Sequence, residues 1–221
     1  MIRVKPFNSF FLLYEFFENM TKICESYNKI GEWFDQSRSK NLIEKEYLDL
    51  IVREIPEGSL ILDLGCGSGD PIAKFFIEKG CDLTGVDGSK KMMDLFQKNF
   101  PSTKFPNVNF IFADMRKIKL SQKFDVIIAW DSFFHLMPDD QRKMFAIFAS
   151  YIKPRGMLLF TSGGPEEEEI WSNNNGENLY HASLSKKEYQ ELLEQFGFEV
   201  VNYKEKDPDC QEHTVWVGRK K

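Results

Sequence analysis

The sequence predicts an α/β fold: a doubly wound, mostly parallel seven-stranded sheet with an antiparallel last strand and helices on both faces. Three observations predict it. Short apolar runs alternate with helical stretches along most of the chain. Residues 124–130 are apolar almost throughout, as a central strand of a parallel sheet requires. Two late strand-like runs leave no room for a helix between them, so they should pair antiparallel.

The elements follow in order. Residues 21–55 read as helical and should lie over one end of the sheet. Residues 60–64 form the first strand. A helix over 71–79 follows, with Asp70 as a good N-cap and Pro71 as a good first helical residue. Residues 81–86 are a second strand and 89–99 a second helix; 108–113 and 124–130 are the next two strands. Pro138, Asp139 and Asp140 open a helix near 138–152, and 157–161 is a fifth strand. Ser185 and Glu188 frame a capping box for a helix that reaches Phe196 and stops at Gly197. Residues 198–203 and 214–217 are the antiparallel pair. Right-handed crossovers then place helices on both faces.

The chain has 221 residues, 42% hydrophobic and 29% charged, which suits one folded domain over 21–221 and excludes disorder as the main state. No run of about 18 apolar residues exists, so no membrane-spanning helix is expected. A net charge of −5 argues against a nucleic-acid partner, which calls for a basic face. Cys24, Cys66, Cys81 and Cys210 are scattered, with no Cys-x-x-Cys and no histidine at ligand spacing. Neither a disulfide framework nor a metal site is expected, and a reducing cytoplasm is the default.

Residues 1–20 are apolar and Phe-rich. Arg3 and Lys5 imitate the start of a signal peptide, but Glu15 interrupts the run and no small-residue cleavage site follows. Three readings remain: a helix packed on the core, a partner-docking helix, or an extension ahead of a start at Met20. The segment is also the place to look for a dimer interface; monomer and homodimer both stay open.

The first strand ends Leu62-Asp63-Leu64-Gly65-Cys66-Gly67-Ser68-Gly69. In doubly wound sheets, ligands bind at the carboxyl ends of the strands. The glycines allow a tight turn and close approach. Their spacing is not the G-x-G-x-x-G of dinucleotide enzymes. Asp63 and Asp70 put negative charge where a pyrophosphate would need to sit, which suits a ligand carrying a cation.

This loop, followed by Gly85-Val86-Asp87-Gly88-Ser89 and Met92, resembles the class I (Rossmann-like) S-adenosylmethionine-dependent methyltransferases. Ala113-Asp114-Met115, the run Phe124 to Trp130, and Lys153-Pro154-Arg155-Gly156 match that family's later landmarks in order. The likeness covers about residues 27–219 and is greatest to small stand-alone bacterial-type members. It implies S-adenosylmethionine as cofactor and S-adenosylhomocysteine as product. Asp87 would accept the ribose hydroxyls, and Asp114 the adenine amino hydrogen. Met92, Gly88 and Met115 would flank the adenine, although many relatives carry a larger apolar residue where Gly88 sits. Gly65, Gly67 and the backbone at Ala129 would meet the methionine part; Asp63, Cys66 and Trp130 join the cofactor-binding set, with Cys66 packing rather than attacking. Tyr27 and Arg38 either approach the cofactor carboxylate or belong to an ordinary amphipathic helix.

Methyl transfer is a direct displacement, in which the protein aligns the acceptor and excludes water. An alcohol or protonated amine needs a base. His135 and Asp131, just after the fourth strand, are the catalytic candidates; His135 can instead hold the loop together, and Asp131 can instead sit near the cofactor amino group. Residues 162–182 read as a lid-like insertion, in which Trp171, Tyr180 and His181 line the acceptor pocket. The four glutamates 166–169 either attract a cationic acceptor or form a solvated face. No Asn/Asp-Pro-Pro-Tyr-type segment follows the fourth strand, so a small-molecule acceptor is favoured by elimination. The competing reading is a non-catalytic binder of the same cofactor whose first helix docks a partner.

Overall fold

A computed structural model describes the backbone from residue 9 to 221 and side chains from residue 22 onward. The side chains of the Phe-rich start, with the readings attached to them, lie outside the described residues. The backbone there enters a long helix, α1 (Ser9–Ser37), and α2 (Lys45–Glu54) follows.

Seven strands form the main sheet: β1 (Leu60–Leu64), β2 (Asp82–Asp87), β3 (Val108–Phe112), β4 (Phe124–Ala129), β5 (Ile152–Ser162), β8 (Phe198–Asp207) and β9 (His213–Lys220). Their order is β3-β2-β1-β4-β5-β9-β8. The first four junctions are parallel and the two involving β9 are antiparallel. The order in which strands are added reverses between the parallel neighbours β1 and β4, so the carboxyl ends of these two strands flank a crevice.

Alternation along the strands builds two cores, because successive side chains point to opposite faces. Ile61, Leu83, Val126, Ile128, Leu159 and Val217 meet α2, α3 (Ile72–Glu78) and α4 (Lys90–Asn99) on one face. Leu62, Leu64, Ile127, Leu158, Phe160 and Trp216 meet α5 (Pro138–Tyr151) and α6 (Lys186–Gln195) on the other. Phe133 sits at the centre of the second core, edge-on to Phe145 and Phe160.

Local signals set the helix ends. Ser89 caps α4, accepting from the amide of Met92. Ser185 caps α6 through the amide of Glu188. The Glu188 carboxylate turns to Arg142 at 2.6 Å, so only half of the expected capping box forms. Helix α3 starts one residue later than expected, with Pro71 at the cap and no capping side chain. Asp70 faces Lys40 instead, 3.7 Å away.

The insertion departs from its reading as a long loop. It holds a hairpin, β6 (Glu168–Asn174) and β7 (Glu177–Ser183), separate from the main sheet. Helix α1 packs on it: Ile23 and Ile30 join Leu179, Tyr180 and Ala182 in a third apolar cluster. Ser26 and Lys29 both donate to Glu177 at 3.0 Å. On its other side, α1 meets α4, where Asn28 accepts from Ser89 and from the Lys91 amide. Among the described residues, no helix is long and apolar enough to cross a membrane.

Candidate functional site

The glycine loop after β1 opens a cavity at the carboxyl ends of β1, β2 and β4, with α1 across it. The cavity and the open solvent at its mouth together make about 810 Å3 of unfilled space. The amides of Gly65 and Cys66 donate to the Val86 carbonyl at 2.7 and 3.1 Å, tying the loop to the end of β2. Gly65 has φ +78°, and a Cβ there would fall 2.2 Å from Ser132 Cβ. Only glycine fits, because the backbone is left-handed and Ser132 stands against it. Ser132 in turn donates to the Leu64 carbonyl at 2.6 Å, joining the ends of β1 and β4.

Asp87 closes β2 against this loop. Its two carboxylate oxygens accept from the amides of Gly67 (2.9 Å) and Ser89 (2.8 Å). Burial raises its pKa, and the amides of Ser89, Gly67 and Gly88 oppose that rise. Each oxygen keeps capacity for a further donor. Gly88, Met92 and Met115 line the cavity beside it, with Cys24 of α1. A Cβ on Gly88 would lie 2.5 Å from Cys24 Sγ, so the cysteine fills the space that a larger residue at position 88 would take.

Arg38 lies on the opposite side. It donates to Asp131 at 3.0 Å and to Glu44. Burial works against its charge, but Asp131 and Glu44 outweigh burial and raise its pKa. Asp63, fully buried in β1, adds a third carboxylate. Its pKa is pushed up to about 7 by burial and by Asp87 and Glu44, against the pull of Arg38. Burial likewise raises Glu44. Three carboxylates thus surround one guanidinium; two of them, Asp63 and Asp131, line the cavity itself, and a bound cation would favour their ionised forms.

Asp131 turns the chain after β4 with φ +48°, a strained conformation for a non-glycine residue. Its amide donates to Thr161 Oγ1 at 2.9 Å, which holds the turn. His135 is buried. Its Nδ1 lies 2.7 Å from the Tyr180 carbonyl, so Nδ1 carries the hydrogen and Nε2 accepts from the Tyr27 hydroxyl at 3.1 Å. Burial and the neighbouring His181 lower its pKa to about 3. The ring is therefore neutral at physiological pH.

The structure gathers most of the expected residues on this cavity: Tyr27, Arg38, Asp63, Gly65, Cys66, Gly67, Asp87, Gly88, Met92, Met115, Trp130, Asp131 and His135. Several do not fit their expected places. Asp114 is outside the lining; its carboxylate caps the turn after β3 and grips the Arg116 guanidinium at 2.6 Å. Ala129 is fully buried within β4. Trp171 is 58% exposed on the outer side of the hairpin and packs on Tyr180. The Tyr180 hydroxyl points away to Glu169 at 2.6 Å. Of the three hairpin residues, only His181 lines a second cavity, beside Phe134 and His213. Sequence reasoning missed Cys24, Glu44, Ser132 and His213. Three of these had no local signal; His213 was one of only three histidines in the chain. Among the described residues, no cluster of His, Cys, Asp and Glu is arranged to hold a metal ion.

Residues 61–156 match the family model described as a methyltransferase domain. The chain is 26% identical over 196 residues to an O-methyltransferase, rstn1, of Aspergillus nomiae, covering 83% of this chain and 85% of that one. A malonyl-[acyl-carrier protein] O-methyltransferase of Halalkalibacterium halodurans is 39% identical over 117 residues, covering 50% of this chain and 41% of the relative. The fold is shared with a Burkholderia thailandensis 1,6-didemethyltoxoflavin-N1-methyltransferase, solved with that substrate and S-adenosylhomocysteine. That likeness has a TM-score of 0.69 and 16% identity, over 99% of this chain and 93% of that one. Fold and family match agree: residues 61–156 carry a methyltransferase domain, on the Rossmann-like fold of S-adenosylmethionine-dependent methyltransferases. The relative of Aspergillus nomiae, which spans most of the chain, is an O-methyltransferase.

Proposed function

We propose that this methyltransferase acts on a small-molecule hydroxyl acceptor, with its cofactor in the cavity beneath α1. S-adenosylmethionine, when bound, supplies a methyl group activated on a sulfonium sulfur. The observation that carries the reading is the excess of buried carboxylate around Arg38, set beside the glycine loop and Asp87. Asp63 and Asp131 offer charge to the cationic end of the cofactor. Arg38 has N–H groups to spare for its carboxylate. Asp87 is oriented by two amides toward a pair of hydroxyls. Cys24, Met92 and Met115 form an apolar slot for a flat base. Helix α1 and the hairpin roof the site and exclude water.

The acceptor side extends toward the hairpin, which we read as a lid. We further assign the enzyme to the cytoplasm, without a nucleic-acid partner, as a monomer or homodimer. The four free thiols and the acidic balance support this.

A thermal melt tests the cofactor site. S-adenosylhomocysteine at one hundred times its dissociation constant should add about 2.7 kcal/mol. For a chain of this length that is a shift of roughly 5–10 °C. NADH should give none. Replacing Asp87 with Ala should remove the shift; a shift that survives Asp87→Ala overturns the placement of the ribose. Binding without methyl transfer to any hydroxyl acceptor would favour a non-catalytic binding protein.

A further inference from the structure

The chain has three histidines, and all three gather around Phe134. The His213 ring stacks on Phe134, with centroids 5.7 Å apart. His181 meets it edge-on at 5.1 Å, and His135 and His181 lie 4.8 Å apart. These rings stand where the cofactor cavity borders the second cavity, with His135 lining the first and Phe134, His181 and His213 the second. Phe134, Ile170 and Ala182 give the second cavity an apolar lining, with His181 and His213 among its polar groups. Asp131 belongs to the first cavity and faces His213, which belongs to the second.

We propose that His213, positioned by Asp131, takes the proton from the acceptor, and that the acceptor is a flat hydroxyl compound, a phenol or enol, held in the second cavity. The proposal rests on the methyltransferase reading above and names the substrate class and base of that same site.

Both nitrogens of His135 are already used, Nδ1 by the Tyr180 carbonyl and Nε2 by Tyr27. His213 differs. Its Nε2 lies 3.4 Å from Asp131 Oδ1. That oxygen is buried and has no hydrogen-bond partner among the described residues. A buried carboxylate oxygen without a donor is costly, and Nε2–H of His213 is the group in position to satisfy it. In that tautomer the lone pair is on Nδ1, on a ring that lines the second cavity. Asp131 would thus orient a histidine whose other nitrogen serves as base, while its second oxygen stays with Arg38.

The lining selects the acceptor. Phe134 and Ile170 suit a flat apolar frame. A carboxylate would reach the site already ionised, needing no base, and would meet Glu168 and Asp131. A phenol or enol arrives neutral and must lose its proton. That proton passes to Nδ1 of His213, giving an imidazolium beside Asp131. The O–H electron pair stays on oxygen and forms the bond to the methyl carbon. The carbon–sulfur bond breaks with its pair left on sulfur, and the imidazolium later yields its proton to water.

Two readouts besides turnover test this. With three histidines, the imidazole 15N spectrum of histidine-labelled protein saturated with S-adenosylhomocysteine resolves each ring. Neutral His213 should be the Nε2–H tautomer, and Asp131→Asn should abolish that preference. An Nδ1–H tautomer, or no response to Asp131→Asn, overturns the base assignment. The second readout uses 4-nitrophenol as probe, whose ionisation is visible. The wild type with S-adenosylhomocysteine should raise the phenolate fraction, and His213→Gln should reduce this at least tenfold while still binding S-adenosylhomocysteine. No change of the probe spectrum in the wild type overturns the acceptor class. Failure of the wild type to bind S-adenosylhomocysteine would instead overturn the cofactor-site reading, so the two failures are distinguishable.

Discussion

Cys24 Sγ stands 2.5 Å from the point where a side chain on Gly88 would begin. Helix α1 and the turn after β2 therefore share one volume, and either residue can fill it but not both.

Gly88→Ala should push against Cys24 and cost about 1–3 kcal/mol, as overpacking does. The double change Gly88→Ala with Cys24→Ala should recover most of that loss. A double-mutant cycle by urea unfolding reads the coupling directly. Simple additivity of the two changes would show that the helix and turn do not compete.

Asp63 makes stability and binding run in opposite directions with pH. Its pKa is raised to about 7, chiefly by burial. A raised carboxylate favours the fold when protonated, so ligand-free stability from this group falls as pH rises from about 4 through 7. A cationic ligand prefers the ionised form, so affinity for S-adenosylmethionine should rise over the upper part of that window. Asp63→Asn should flatten both trends. Melting curves and calorimetric titrations from pH 5 to about 8 check this.

His135 acts with the opposite sign. Burial and His181 lower its pKa from 6.5 to about 3. Between these values the unfolded chain binds the proton and the fold does not. Stability therefore falls as pH drops from 6.5 toward 3. His135→Gln should remove this contribution, and should also cost about 1–3 kcal/mol at neutral pH by disturbing the Tyr27 and Tyr180 bonds. Unfolding curves at pH about 5 and 7.5 separate the two effects. An unchanged acid slope in the variant would contradict the assignment.

Phe133 and Trp171 mark the extremes of aromatic burial. Phe133 is fully buried among Phe145, Phe148 and Phe160, and Phe133→Ala should cost about 3–5 kcal/mol. Trp171 is mostly exposed, and Trp171→Ala should stay within about 0.5 kcal/mol of wild type. Chemical denaturation of the two variants gives the comparison.

The sheet was legible because its central strands β1, β4 and β5 are largely apolar on both faces and glycines or prolines punctuate the chain between elements. The cofactor loop was legible because its residues form two compact runs, 63–69 and 87–92, although the bonds that join them, such as Gly67 to Asp87, span 20 positions. The hairpin was hidden for the opposite reason. Glu168–Trp171 in β6 are all exposed and show no period-two burial, so the strand carries no apolar signature. Asp114 lies outside the cavity lining, and its residue type gave no sign that Arg116, two positions on, would bond its carboxylate. The pairing of Asp131 with His213 joins β4 to β9, a contact that only the completed sheet creates.

The border between the two cavities has a thermodynamic meaning. His135, which faces the cofactor, hangs from the backbone carbonyl of Tyr180, and the next residue, His181, faces the other cavity. One stretch of β7 is therefore a boundary for both ligands. A ligand that shifts this strand alters the affinity of the other, and by linkage each must change the other's affinity by the same factor. On the reading proposed above, cofactor and acceptor would in that sense be effectors of one another, with the hairpin as the lever between them.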